Sequence, residues 1–173
     1  MHMSDSREIA AEPATVWAAI LDPEVLKACV PGCESMEGNP QDGFEAVVVQ
    51  KVGPVKARFN GAVTITDVVE GESLTISGEG KGGPAGFAKG GAKVRLEPVE
   101  AGTLLSYDVE AKVGGKLAQL GSRIIDGFAK KMADEFFTRF KDALEEPEAA
   151  DEAEAEAETA EKPKRGWFRR LRG

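Results

Sequence analysis

The chain holds one histidine, two cysteines and one tyrosine among its 173 residues, and these shortages exclude several chemistries at once. The histidine is His2, beside the N-terminus. Ser-His-Asp and Cys-His relays need an imidazole held in place by its neighbours, so neither is expected. Cys29 and Cys33 flank a Val-Pro-Gly turn. With no further cysteine or histidine to join them, they read as a structural thiol pair and not as a zinc or redox site. Long apolar runs are missing as well: none approaches the roughly 18 residues that span a bilayer. Residues 1–6 lack the charged-then-apolar layout of a signal peptide. A cytoplasmic protein is expected.

What is present is enough for one globular domain, with 42% hydrophobic and 30% charged residues. The net charge of −8 conceals a division. Residues 1–144 carry 16 basic and 21 acidic side chains, residues 145–161 carry nine acidic and no basic ones, and residues 162–173 carry six basic and no acidic ones. We therefore divide the chain into a domain (1–144), an acidic disordered linker (145–161) and a basic-aromatic tail (162–173).

Within the domain, one stretch dominates. Leu117, Leu120, Ile124, Phe128, Met132 and Phe136 recur at steps of three or four, and Ile125, Phe137 and Phe140 widen the stripe. This predicts a single helix over residues 116–144, about 40 Å long at 1.5 Å per residue. So wide an apolar face must lie on a large partner. The partner is mostly strand: after a first strand (3–10), a helix opened by Pro13 and a second opened by Asp22-Pro23, the pattern alternates with period two. It predicts strands at 44–51, 55–69, 73–78, 88–96 and 104–112, separated by Gly, Pro, Asn and Asp clusters. No helix-length crossover divides them, so the sheet is expected to be antiparallel. The fold class is α+β, a sheet gripping one helix.

Alternation also sorts the faces. Val55, Ala57, Phe59, Gly61, Val63 and Ile65 share one side of their strand; Leu74 and Ile76, then Ala92, Val94 and Leu96, then Leu105, Tyr107 and Val109 continue it. Many residues on this face are small, among them Ala46, Ala57, Gly61, Ala88, Gly90 and Ala92. They leave volume between helix and sheet that is either filled by close packing or open to a ligand.

Three strings in order then carry a resemblance: DPEVLKACVPGCESME at residues 22–37, VGPVKARFNGAV at 52–63 and GEGKGGPAGFAKGGAKVRL at 78–96. Together they make the chain resemble the CoxG-like family of carbon monoxide dehydrogenase, small members of the START-like (SRPBCC, Bet v 1-like) helix-grip superfamily. The resemblance implies a curved antiparallel sheet wrapped around a long C-terminal helix, with two short helices after the first strand. It implies that lipids, quinones, polyketides or hormones are the kind of molecule held between helix and sheet. It further implies an accessory role, connecting a molybdenum hydroxylase of the carbon monoxide dehydrogenase type to the membrane.

Two motifs carry little. Gly78, Gly80 and Gly83 satisfy GxGxxG, but Pro84 and a strand follow instead of the helix whose N-terminus would hold a pyrophosphate. These glycines make either a mobile loop, with Phe87 at its tip over a cavity mouth, or a plain strand connection with bulges. Tyr107 is either a hydrogen-bond donor to a carbonyl in the cavity or a core residue satisfied locally. A polyketide cyclase-like enzyme would need several inward polar groups, and only Tyr107 and Gln50 qualify. No catalytic residue and no metal site are assigned.

The linker, EEPEAADEAEAEAETAE, is too acidic to bury apolar surface, and is expected to be extended or transiently helical. As a coil it spans about 20–25 Å. The tail, KPKRGWFRRLRG, sets Trp167, Phe168 and Leu171 among Lys162, Lys164, Arg165, Arg169, Arg170 and Arg172. Each basic residue near an anionic membrane contributes about 1 kcal/mol, and the aromatic rings suit headgroup depth. Nucleic acid would also suit arginine with aromatics, but the acidic domain offers no basic groove. Reversible attachment to the inner face of the cell membrane is expected, with no nucleic-acid partner.

The functional expectation combines these parts. A small hydrophobic ligand, a respiratory quinone such as menaquinone, occupies the cavity without covalent attachment, lined by Phe59, Ile65, Ile76, Phe87, Leu105, Tyr107, Leu120, Ile124 and Phe128. The choice of quinone rests on the resemblance and on the redox chemistry of the implied partner enzyme. A ligand-free recruitment factor is the alternative if the interior is solid, and a cyclase if polar groups converge inside it.

Overall fold

The computed structural model describes residues 1–154, with side chains to residue 145. Its elements run β1 (His2–Ile9), α1 (Pro13–Ile20), α2 (Pro23–Cys29), β2 (Cys33–Asn39), β3 (Gly43–Val52), β4 (Val55–Val69), β5 (Ser73–Lys81), β6 (Phe87–Val99), β7 (Gly102–Gly114), α3 (Lys116–Gln119) and α4 (Ser122–Glu154). The seven strands form one antiparallel sheet in the order β1-β7-β6-β5-β4-β3-β2. The expected α+β helix-grip architecture is what the chain adopts.

Three features differ from the sequence reading. The strand β2 was not expected, because CESMEGN shows little alternation; it is a half-exposed edge strand with a bulge between Cys33 and Ser35. The glycine-rich string is strand and not a mobile loop: Gly78 and Gly80 pair within β5, and the connection to β6 is a short turn closed by the Gly82 N–H donating to the Gly86 carbonyl at 2.8 Å. The long helix is two helices. Gly121 takes φ +91°, a left-handed conformation that glycine adopts without strain, so α3 stops there and α4 restarts from Ser122. Nor does α4 stop at the change of composition. Its backbone runs on to Glu154, through the first part of the acidic segment, while residues 155–173 lie outside the described residues.

Local signals place the two short helices. Pro13 opens α1, and the Asp22 carboxylate caps α2 by accepting from the Glu24 N–H at 2.9 Å. Both cover one end of the sheet, where Val16, Trp17, Ile20 and Cys29 are buried with Ile9, Leu74, Leu96, Leu105, Phe137 and Phe140. Aromatic packing ties α4 into this core: Phe136 stacks on Phe140 at 5.3 Å and meets Phe137 edge-on at 5.0 Å. The Ala10 N–H donates to the Glu145 carboxylate at 2.8 Å, which fixes that end of α4 beside the end of β1.

Cys29 belongs to this core and is 1% exposed. Burial pushes its thiol from 9.0 up to about 11, with Arg139 pulling the other way. Between those values the unfolded chain has lost the thiol proton and the folded chain keeps it, so stability falls as pH rises from 9.0 towards about 11. Urea midpoints of the wild type are expected to drop over that interval, and those of Cys29→Ala to drop less; parallel slopes would assign the loss to other groups.

Candidate functional site

Strand register explains why the concave face is open. Directly opposed residues form rows across the sheet: Ile65, Ile76, Ala92, Val109 and Met3 make one, and Ala46, Gly61, Gly80, Ala88 and Val113 make the next. The second row has little side-chain bulk, and α4 cannot descend to fill it because the larger residues of the first row hold it off. The result is a cavity of about 640 Å³ between sheet and helix, within the size range of ligand sites.

Its walls are apolar. Only Gln50 and Tyr107 among the lining side chains are polar, and none is charged. Both have partners already. Gln50 Nε2 donates to the Pro31 carbonyl at 2.6 Å. The Tyr107 hydroxyl accepts from Arg7 Nη2 at 3.1 Å, and its ring stacks on Phe137 at 5.3 Å. Arg7 also donates to Asp134 at 2.9 Å and lies 5.0 Å above the Phe137 ring. Desolvation opposes the charge on Arg7, but the Tyr107 and Asp134 contacts outweigh it and its pKa is raised. The same bond from Arg7, with Lys130, holds the Asp134 carboxyl below the usual carboxylate range. The charged pair therefore seals the rim of the cavity without entering it. Tyr107 is a core residue with a locally satisfied hydroxyl that also forms part of the wall.

Of the nine residues expected to line the site, Phe59, Ile65, Ile76, Leu105, Tyr107 and Phe128 do so. Three do not. Phe87 pairs with Gly114 across the ladder and projects from the convex side, because it is one residue out of phase with the inward Ala88, Gly90 and Ala92. Leu120 and Ile124 lie against the β3–β4 turn, where a methyl group on Gly53 would meet Ile124 Cγ2 at 3.5 Å. The break at Gly121 resets the helical phase, so the inward stripe of α4 passes through Ile125, Phe128, Ala129, Met132 and Phe136 instead. The other residues missed, Leu26 and Val30 beside α2 and Met36 on β2, sit on elements whose docking no local pattern reports.

The chemistry available is limited. Among the described residues no group of three or more His, Cys, Asp or Glu side chains is placed to hold a metal ion. Also among them, no helix is long and apolar enough to cross a membrane. The tail residues Lys164, Arg165, Trp167, Phe168, Arg169, Arg170, Leu171 and Arg172 lie outside the described residues.

Solved structures share the fold. A conserved protein from Geobacillus kaustophilus is 28% identical and superposes with a TM-score of 0.79, covering 85% of this chain and 97% of its own. A protein from Chromobacterium violaceum, 18% identical, superposes at 0.61 over 83% of this chain and 97% of its own. One from Mycobacterium smegmatis, 17% identical, gives 0.60 over 83% and 90%. No curated protein sequence matches the chain. The family model for CoxG of carbon monoxide dehydrogenase matches residues 6–145, which takes in all seven strands and the part of α4 that grips them. On that match the chain belongs to the CoxG family of carbon monoxide dehydrogenase.

Proposed function

We propose that the domain carries a respiratory quinone in its helix–sheet cavity, between the cytoplasmic face of the membrane and a molybdenum hydroxylase of the carbon monoxide dehydrogenase type. Family membership supports the coarser part, an accessory and non-catalytic role beside such an enzyme. The observation that carries the finer part is the cavity of about 640 Å³ whose lining side chains include no charge and two polar groups, both already partnered. That inventory suits an isoprenoid chain and a flat ring, and it supplies no convergent acid and base for cyclase chemistry. The basic-aromatic tail would return the loaded protein to anionic lipid, where quinones partition.

Solvent extraction of the purified full-length protein, followed by mass spectrometry, is expected to release a quinone or isoprenoid lipid. The emptied protein is expected to take up menaquinone-2, read by quenching of its tryptophans. Recovery of no lipid together with no uptake would overturn the carrier role and favour a ligand-free recruitment factor. Deleting residues 162–173 is expected to reduce sedimentation with anionic vesicles at least tenfold; undiminished sedimentation would remove the role assigned to the tail.

A further inference from the structure

Successive strands of an antiparallel meander place alternate turns at opposite ends. The β3–β4 turn, the β5–β6 turn and the β7–α3 junction therefore share one end of the sheet, and the β2–β3, β4–β5 and β6–β7 turns share the other. Charge follows this division. Segments 51–58, 81–89 and 112–123 contain eight basic residues and no acidic one, while segments 37–45, 67–72 and 97–100 contain eight acidic residues and no basic one. The net charge of the domain is small, but it is sorted along the strand axis.

The basic end is built as a surface. Lys51, Lys56, Lys81, Lys89, Lys112 and Lys116 are all exposed and flank its three turns in pairs. Exposed apolar groups sit among them: Phe87 and Ile124 are each 41% exposed. The turns touch one another. A methyl group on Gly53 would meet Ile124, and one on Gly86 would strike the Gly114 carbonyl at 2.0 Å. The bordering acids are Glu34, paired with Arg58, then Glu79, opposite Lys89, and Asp126. The cavity reaches this end too, where Val52 and Leu117 line it. Leu117 lies on α3, between Gly115 and Gly121, both at positive φ.

We infer that this lysine-flanked end of the sheet is a docking surface for an anionic lipid bilayer, distinct from the C-terminal tail. Lysines around exposed phenylalanine and isoleucine match a surface of anionic headgroups over hydrocarbon. An acidic protein face would satisfy the lysines but gain less from the two apolar side chains. The tail does not orient the domain by itself, because α4 leads away from the basic end and is anchored at the acidic one through Glu145. The 19 residues beyond Glu154 have a contour length of about 65 Å, against about 50 Å for the length of α4. Tail and basic end can therefore reach the same membrane. Eight carboxylates are then held away from it, and the cavity end closed by Leu117 faces the lipid.

The test uses the full-length protein and vesicles of phosphatidylcholine, with or without phosphatidylglycerol. Deuterium exchange is expected to show protection in residues 82–87 and 114–124 on vesicles containing phosphatidylglycerol, and none in residues 37–45. The charge-reversed protein K81E/K89E/K112E/K116E is expected to bind these vesicles at least tenfold more weakly than K93E/R95E/K131E/K141E, which carries the same net charge with the changes placed elsewhere. Circular dichroism checks that both remain folded. Equal binding by the two variants, or protection confined to residues 162–173, would overturn the assignment and leave the basic end for an anionic protein or nucleic acid. The outcome is independent of quinone carriage: a protein that binds no quinone but shows this protection loses that role and keeps this surface.

Discussion

A protein carrying Gly80→Leu and Ala92→Phe is expected to stay folded and to lose menaquinone-2 uptake by at least tenfold. Both positions lie on the concave floor and line the cavity. Gly80 has no positive φ, and a Cβ there would meet only Phe59 Cβ, at an ordinary 3.9 Å. The new side chains therefore point into empty space and not into backbone. Ala92 sits between Ile76 and Val109 in its row, so a phenyl ring there covers the middle of the floor. Each added buried CH₂ contributes about 0.8 kcal/mol, so the melting temperature should hold or rise while the ligand volume disappears. That combination separates a ligand site from a packing defect. Uptake equal to wild type would place the quinone outside the cavity, and Gly80→Leu alone, the milder change, provides the same reading if the double variant folds poorly.

The contrast between these floor positions and their glycine neighbours shows what the sequence discloses. Period-two alternation identified the inward residues of β4 to β7, because a one-residue slip would have turned every apolar side chain to water. It also contained the correction for Phe87, which is out of phase with Ala88 on the same strand. The ordering of helices and strands was equally legible from Pro13, the Asp22-Pro23 cap and the turn residues. The break at Gly121 was not: a single glycine inside an apolar stripe is tolerated in many helices, and only the left-handed φ reached in the tertiary structure resets the phase. That one dihedral moved Leu120 and Ile124 from the expected wall to the β3–β4 turn. The edge strand β2 stayed hidden because its pairing depends on β3 and not on its own pattern. The division of charge between the two ends was visible in the string all along, but it becomes a surface only once the topology says which turns lie side by side.

The two halves of the gripped helix should differ in what they contribute to stability. Phe140 is fully buried, in contact with Phe136 and Phe137 at ring separations of 5.3 and 6.2 Å, within the core that includes Ile9, Val16 and Trp17. Phe140→Ala removes these contacts and leaves a hole that rigid neighbours cannot close, so a loss of about 3–5 kcal/mol is expected in urea unfolding. Phe128 lies about three turns earlier on the same helix, and its ring borders the cavity. One side of it meets no protein atoms, so fewer dispersion contacts exist to be lost, and Phe128→Ala is expected to cost no more than about 1.5 kcal/mol. Adding menaquinone-2 should stabilise the wild type more than Phe128→Ala, because a ligand that binds only the folded state raises stability in proportion to the logarithm of its occupancy. Equal costs for the two substitutions would mean that the first half of α4 is as tightly packed as the second. The cavity would then close in solution, and with it the case for a carried ligand.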